Sequence, residues 1–171
     1  MNKIKSWFNK LFPSKPIVLD ILPIQSLLKE LVIFDGDQTN NETLKLLYTK
    51  KDSIKFVWVQ VGKLIPKAIK KHSIDIQLII PSAIGKESTD TQIAITIVDT
   101  LHKNPSIKKV FIVSSDGDFL DIMLSLSNIF PHVVFVLANN QIRVTSKAAQ
   151  YASRTLSIAN PNCSVIKIKI P

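Results

Sequence analysis

Carboxylates recur at three points in this chain, each beside an apolar run: Asp35 and Asp37 in "LVIFDGDQ", Glu87 and Asp90 in "PSAIGKESTD", and Asp116 and Asp118 in "VFIVSSDGDFLDIM". Taken singly, each has an ordinary structural use. Asp116 would serve as a helix N-cap, with Asp118 as a first-turn acid at the positive end of that helix. Glu87 and Asp90 sit at another helix start, and Asp35 and Asp37 suit hydrogen bonds inside a turn. Taken together they are harder to house, because several acids at one place repel each other unless a cation or a proton intervenes. Oxygen donors in this number suit Mg²⁺ or Mn²⁺ rather than zinc. A metal so held orients and activates water and offsets the charge of a phosphodiester, and lysines nearby would gather the polyanion.

Whether the acids meet depends on the elements that carry them. From residue 31 onward, short β-branched runs alternate with helical spacing. Strands are expected over residues 31–34, 54–61, 74–80, 109–113 and 132–137, and helices over 41–50, 63–72, 88–103, 118–129 and 146–156, with 164–170 as an added edge strand. Strands separated by helices imply crossover connections, hence an α/β fold with a mostly parallel sheet of five or six strands. Ligands of such sheets bind beyond the carboxyl ends of the strands, where the strand order switches. The first, third and fourth strands all deliver carboxylates to that edge. Asp99 serves as a contrast: nine residues after Asp90, it falls about half a turn round the same helix and is left out of the site.

The chain has 171 residues, enough for one domain with a sizeable core, and no apolar stretch approaches the ~18 residues of a membrane span. Its single cysteine, Cys163, excludes an intramolecular disulfide, and His72, His102 and His132 fall in separate segments, so a reducing, cytoplasmic setting without structural zinc is expected. The net charge is +9 and nearly all of the basic residues are lysine. Without residues 1–15, which hold four lysines and no acid, 18 basic side chains still face 13 acidic ones, so the excess is spread along the chain. That balance favours a polyanionic partner. In "MNKIKSWFNKLF", Ile4, Phe8, Leu11 and Phe12 make one helical stripe that Pro13 and Pro16 end. Residues 1–29 are therefore read as a basic amphipathic helix and linker, docking on its own domain or a protein partner or resting on a membrane surface, and residues 30–171 as the folded domain. The helix lacks the cleavage-site pattern of a secretory signal.

The three acidic segments together resemble the signature segments of NYN domains, members of the PIN-like nuclease superfamily. The likeness runs over roughly residues 30–155, and "SSDGDF" is its most specific part. It implies a three-layer α/β/α sandwich and hydrolysis of phosphodiester bonds in RNA, single-stranded or structured, with Mg²⁺ or Mn²⁺ held by Asp35, Asp90, Asp116 and Asp118. Asp37, Gln38, Asn40, Glu87 and Ser115 would support that site, Lys86 would contact the RNA backbone, and a homodimer is a further arrangement the reading admits. Gln38 stands where the family usually has asparagine, and Thr96 where many members have a further aspartate. Two alternatives share the same strand-end acids. One is a haloacid-dehalogenase-type phosphatase with Asp35 as nucleophile, for which Lys103 or Lys108 would have to supply the accompanying lysine. The other is a module that binds RNA without cutting it.

Overall fold

A computed structural model of the chain describes residues 28–61, 65–81, 88–139 and 160–167. The amphipathic helix expected over 1–12, the helix expected over 146–156, and Lys86 and Glu87 lie outside the described residues.

The first strand, β1 (Glu30–Asp35), is apolar on both parities, and its residues from Leu31 onward are all buried. A strand of that kind must be covered on both faces. It is followed by α1 (Asn41–Leu47), β2 (Ile54–Val59), α2 (Lys67–Lys71), β3 (Ile76–Ile79), α3 (Ser88–Lys103), β4 (Lys109–Val113), α4 (Phe119–Ile129), β5 (Val134–Asn139) and β6 (Cys163–Lys167). The six strands form one sheet in the order β3-β2-β1-β4-β5-β6, and every neighbouring pair is parallel. The order reverses between β1 and β4, which makes that crevice the switch point.

Alternation along the strands divides the core in two. Leu31 and Ile33 of β1, with Val110 and Ile112 of β4, pack against Ile93, Ile97 and Leu101 of α3 and Phe119, Met123 and Leu126 of α4. Val32 and Phe34, with Phe56 and Trp58 of β2, pack against Leu44 of α1 and Ile69 of α2. The molecule is thus a three-layer α/β/α sandwich, as the resemblance implies, around the parallel sheet that the alternating pattern predicts. Among the described residues no helix is long and apolar enough to cross a membrane.

Element boundaries moved where local chemistry intervened. The helix expected over 63–72 starts only at Lys67, because Pro66 takes an extended backbone (ψ 141°) at its N-cap, and the residue before a proline is itself kept out of helical geometry. The strand expected over 132–137 runs from Val134 to Asn139, since a turn that bonds the Val133 N–H to the Phe130 carbonyl delays its start. The helix expected over 41–50 ends at Leu47, where the Tyr48 N–H closes on the Leu44 carbonyl. The last segment is the edge strand that was expected, here parallel to β5.

Candidate active site

Asp35 is the last residue of β1. Its parity follows Leu31 and Ile33, so its carboxylate faces the α3–α4 layer. The register pairs Phe34 with Val113, which sets the next residue of β4's chain, Ser114, beside Asp35 on the same side. The Ser114 hydroxyl donates to Asp35 Oδ2 at 2.7 Å, and the Asp37 N–H donates to Oδ1 at 3.0 Å. Ser114 Oγ in turn accepts the Asp116 N–H at 3.1 Å. One buried serine therefore joins the ends of the two central strands at the switch point.

Asp35 is 2% exposed. Burial pushes its carboxyl above the usual aspartate range, and the like charge of Asp37 pushes the same way; the hydrogen bonds from Ser114, Asp37 and Gln38 oppose but do not cancel this.

The turn after β1 is shaped by its neighbours. The Gly36 N–H donates to the Val59 carbonyl at 2.7 Å, and a Cβ on Gly36 would collide with the Trp58 indole and lie 2.7 Å from Gln60 Cβ. Trp58 Nε1 donates to Gln60 Oε1 at 2.8 Å, so that wall is itself fixed. Thr39 closes the turn, its N–H bonded to the Asp35 carbonyl and its hydroxyl to the Val113 carbonyl at 3.0 Å. Gln38 is exposed and accepts from the Ser115 hydroxyl at 3.0 Å, a second link between the two turns. Asn40 has a structural place as the N-cap of α1, where its Oδ1 accepts the Thr43 N–H and hydroxyl, each at 2.9 Å.

Asp37 reaches the third segment. Its Oδ2 accepts from the Thr89 hydroxyl at 2.7 Å, which ties the β1 turn to the first turn of α3 beside half-buried Asp90. In the fourth segment Asp116 is half-buried and its Oδ1 accepts the Asp118 N–H at 3.0 Å. Asp118, not Asp116, occupies the N-cap position of α4; it has helical backbone angles and makes no side-chain capping bond. Asp99 is exposed and paired with Lys103 at 2.8 Å, away from these acids.

The described residues include all four of the proposed metal ligands. Hydrogen-bonded paths link Asp35 to Asp116 through Ser114, and Asp37 to the start of α3 through Thr89. All donors are oxygens, and a buried carboxylate beside a like charge is the kind of group a hard divalent cation compensates, so the donor set fits such an ion in kind. Among the described residues, no three carboxylate, histidine or cysteine side chains gather into one group able to hold a metal. The lysines that a phosphatase would need lie elsewhere. Lys103 ends α3 and Lys108 precedes β4, which places both at the end of the sheet opposite Asp35.

Ser114 and Thr89 are the two connecting residues that motif reasoning passed over. Parity would have found Ser114, since it continues the inward set Val110 and Ile112. Thr89 carries no comparable signal.

No curated protein is significantly similar to the chain. A solved structure of a Vibrio parahaemolyticus protein of unknown function shares 15% identity and covers 81% of this chain and 93% of its own, with a TM-score of 0.51, a likeness of fold alone. A pilus assembly-related protein of Burkholderia pseudomallei is 10% identical, with 85% and 82% of the two chains covered and a TM-score of 0.40. The family model for the NYN domain matches residues 35–158, from the aspartate that ends β1 to beyond β5. Over most of its length, then, the chain is a member of the NYN domain family of PIN-like nucleases.

Proposed function

We propose that this protein is a metal-dependent ribonuclease that hydrolyses phosphodiester bonds in RNA at the carboxyl edge of β1 and β4. The observation that carries the reading is the Asp35–Ser114–Asp116 connection, in which Ser114 ties the buried Asp35 carboxylate to the backbone N–H of half-buried Asp116 across the switch point. Asp35, Asp90, Asp116 and Asp118 are the residues that would hold Mg²⁺ or Mn²⁺. When bound, such an ion supplies a water of lowered pKa and offsets charge on the phosphodiester.

The chain's own residues do the positioning. Ser114 and the Asp37 N–H each occupy one oxygen of Asp35, which fixes the carboxylate plane while each oxygen keeps capacity for a further interaction. The Asp118 N–H does the same for Asp116. Thr89 and Asp37 hold the head of α3, and with it Asp90, against the β1 turn.

Incubation of the protein with single-stranded and structured RNA, in Mn²⁺ or in chelator, tests the reading. Cleavage should require the metal, and Asp116→Asn should lower its rate by about 100-fold or more. RNA that stays intact under every condition, or cleavage indifferent to Asp116→Asn, refutes it; RNA bound but never cut would leave a binding module.

A further inference from the structure

Among the described residues, the two helix layers carry opposite charge. Helices α1 and α2 hold four lysines, Lys45, Lys67, Lys70 and Lys71, against the single acid Glu42. On the other layer α3 and α4 hold three aspartates, Asp90, Asp99 and Asp121, against the single lysine Lys103. The positive layer is also shaped. Between α1 and α2 lies a groove of about 530 Å³ lined by Asn41, Lys45, Lys67, Ala68, Lys71 and His72, with no acid among them. The three lining lysines are exposed.

The topology gives this groove a direction. Both helices follow the carboxyl end of one strand and precede the amino end of the next, so both run away from the edge where Asp35 and Asp116 sit. Asn41 and Lys67, each the first residue of its helix, mark the end nearest that edge, and Lys71 and His72 mark the far end. Asn41 follows the β1 turn directly, and Gln38 and Asn40 of that turn are exposed. A strand lying over the turn thus passes from the carboxylate side of the sheet into a groove whose lining holds no acid; exposed Glu42, in the first turn of α1, is not part of that lining. Lys67 and Lys71 are one helical turn apart, with about 6 Å between Cβ atoms. That spacing lets the two lysines meet neighbouring phosphates of one strand.

We infer that the α1–α2 groove is the track for the phosphate backbone of an RNA single strand, with Lys45, Lys67 and Lys71 as its phosphate contacts. The identity of the polymer rests on the ribonuclease reading above; the groove's preference for a polyanionic strand rests on its own charge and shape. Lysines at such spacing position a backbone and read no bases, so the binding is sequence-tolerant and salt-dependent.

The test is fluorescence-anisotropy binding of a labelled single-stranded RNA to the full chain in chelator, across a salt series. The triple variant Lys45→Glu/Lys67→Glu/Lys71→Glu should weaken binding at least tenfold, and the variant with alanine at the three positions should lower the slope of log K against log salt by about 2. Lys103→Ala, on the opposite layer, should leave affinity unchanged. Circular dichroism of each variant checks that these exposed substitutions leave the fold intact. Unchanged affinity and slope in a folded alanine variant overturn the groove assignment, as does a wild-type chain that fails to bind RNA at low salt. A groove whose charge reversal releases anionic phosphatidylserine vesicles but not RNA overturns it too. Metal-dependent cleavage, measured separately on the same variants, reports on the ribonuclease reading: cutting without a groove effect removes only the track, and groove binding without cutting removes only the enzyme.

Discussion

The chain uses the tripeptide Asp-Gly-Asp twice, at residues 35–37, beginning on the last residue of β1, and at 116–118, soon after β4. The two copies are physically unlike. In the first, the leading aspartate is 2% exposed and the glycine is pressed on the side chains of Trp58 and Gln60. In the second, the glycine and the trailing aspartate are exposed, and a Cβ on Gly117 would meet nothing within 4 Å. The cause lies in the strand beside each turn. Asp35 still pairs with Val59, so the β1 turn closes against the end of β2, where a tryptophan sits. The pairing of β4 ends at Val113, and the chain then rises into α4 held by the side chains of Ser114 and Ser115 rather than packed against a neighbouring strand. In the first copy space dictates the glycine; in the second, the hydrogen bonds of Ser114 and Asp116 dictate the shape and the glycine is incidental.

Gly36→Ala breaks this contrast most strongly. The added methyl must displace Trp58, which is fully buried and bonded to Gln60. Overpacking of that kind costs about 2–3 kcal/mol. For a domain of this size the midpoint of thermal unfolding should fall by roughly 5–10 °C. A calorimetric shift of a degree or less would mean that the indole yields cheaply and that the first turn is no tighter than the second.

Asp35→Asn sharpens the same contrast from the electrostatic side. The folded-state pKa of Asp35 is raised, chiefly by burial. A proton on this carboxyl therefore binds the native state more tightly than the unfolded chain, and the stability it contributes is present below the ordinary value of 3.8 and lost as pH rises through the native pKa. Asparagine keeps a neutral group of the same shape, still able to accept from the Asp37 N–H and now donating to Ser114 Oγ. Measured in chelator, the variant should match the parent near the acid end and become more stable toward neutrality. Each kcal/mol gained appears as about 2–4 °C in Tm. A variant that is less stable at every pH would mean that the Ser114 hydroxyl bond outweighs burial.

Much of this was legible in the residues, and the exceptions have physical reasons. Apolar runs ending in acids located β1 and β4 to within a residue at their carboxyl ends, because buried parallel strands leave little choice of composition. The parity of Leu31, Ile33 and Asp35 was equally readable, and it predicts the layer that the carboxylate faces. Ser115 was the serine expected to support the site. It does reach Gln38, but the inner link falls to Ser114, which a strict count of two along Val110 and Ile112 would have selected. Asn40, grouped with the site by nearness, caps α1 because an Asn ahead of a helix accepts its orphan N–H groups. The basic groove was not legible at all. Lys45, Lys67 and Lys71 belong to separate segments, and only the packing of α1 beside α2 makes them one surface.

Gly117→Ala is the smallest expected effect and the most exacting test of the contrast. The position has open space around it, and alanine restricts the unfolded chain more than glycine does. Substitution should leave Tm unchanged or raise it slightly, within about 1 kcal/mol of stabilisation. The Asp116 Oδ1 bond to the Asp118 N–H spans the substituted residue without using it, so the turn should keep its form. If RNA cleavage survives Gly117→Ala while the fold is intact, the second turn works through its aspartates and Ser114 alone. If cleavage is lost with Tm unchanged, the glycine serves the close approach of a bound phosphate, and the two copies of the tripeptide would then share a need for space, met against protein in one and against substrate in the other.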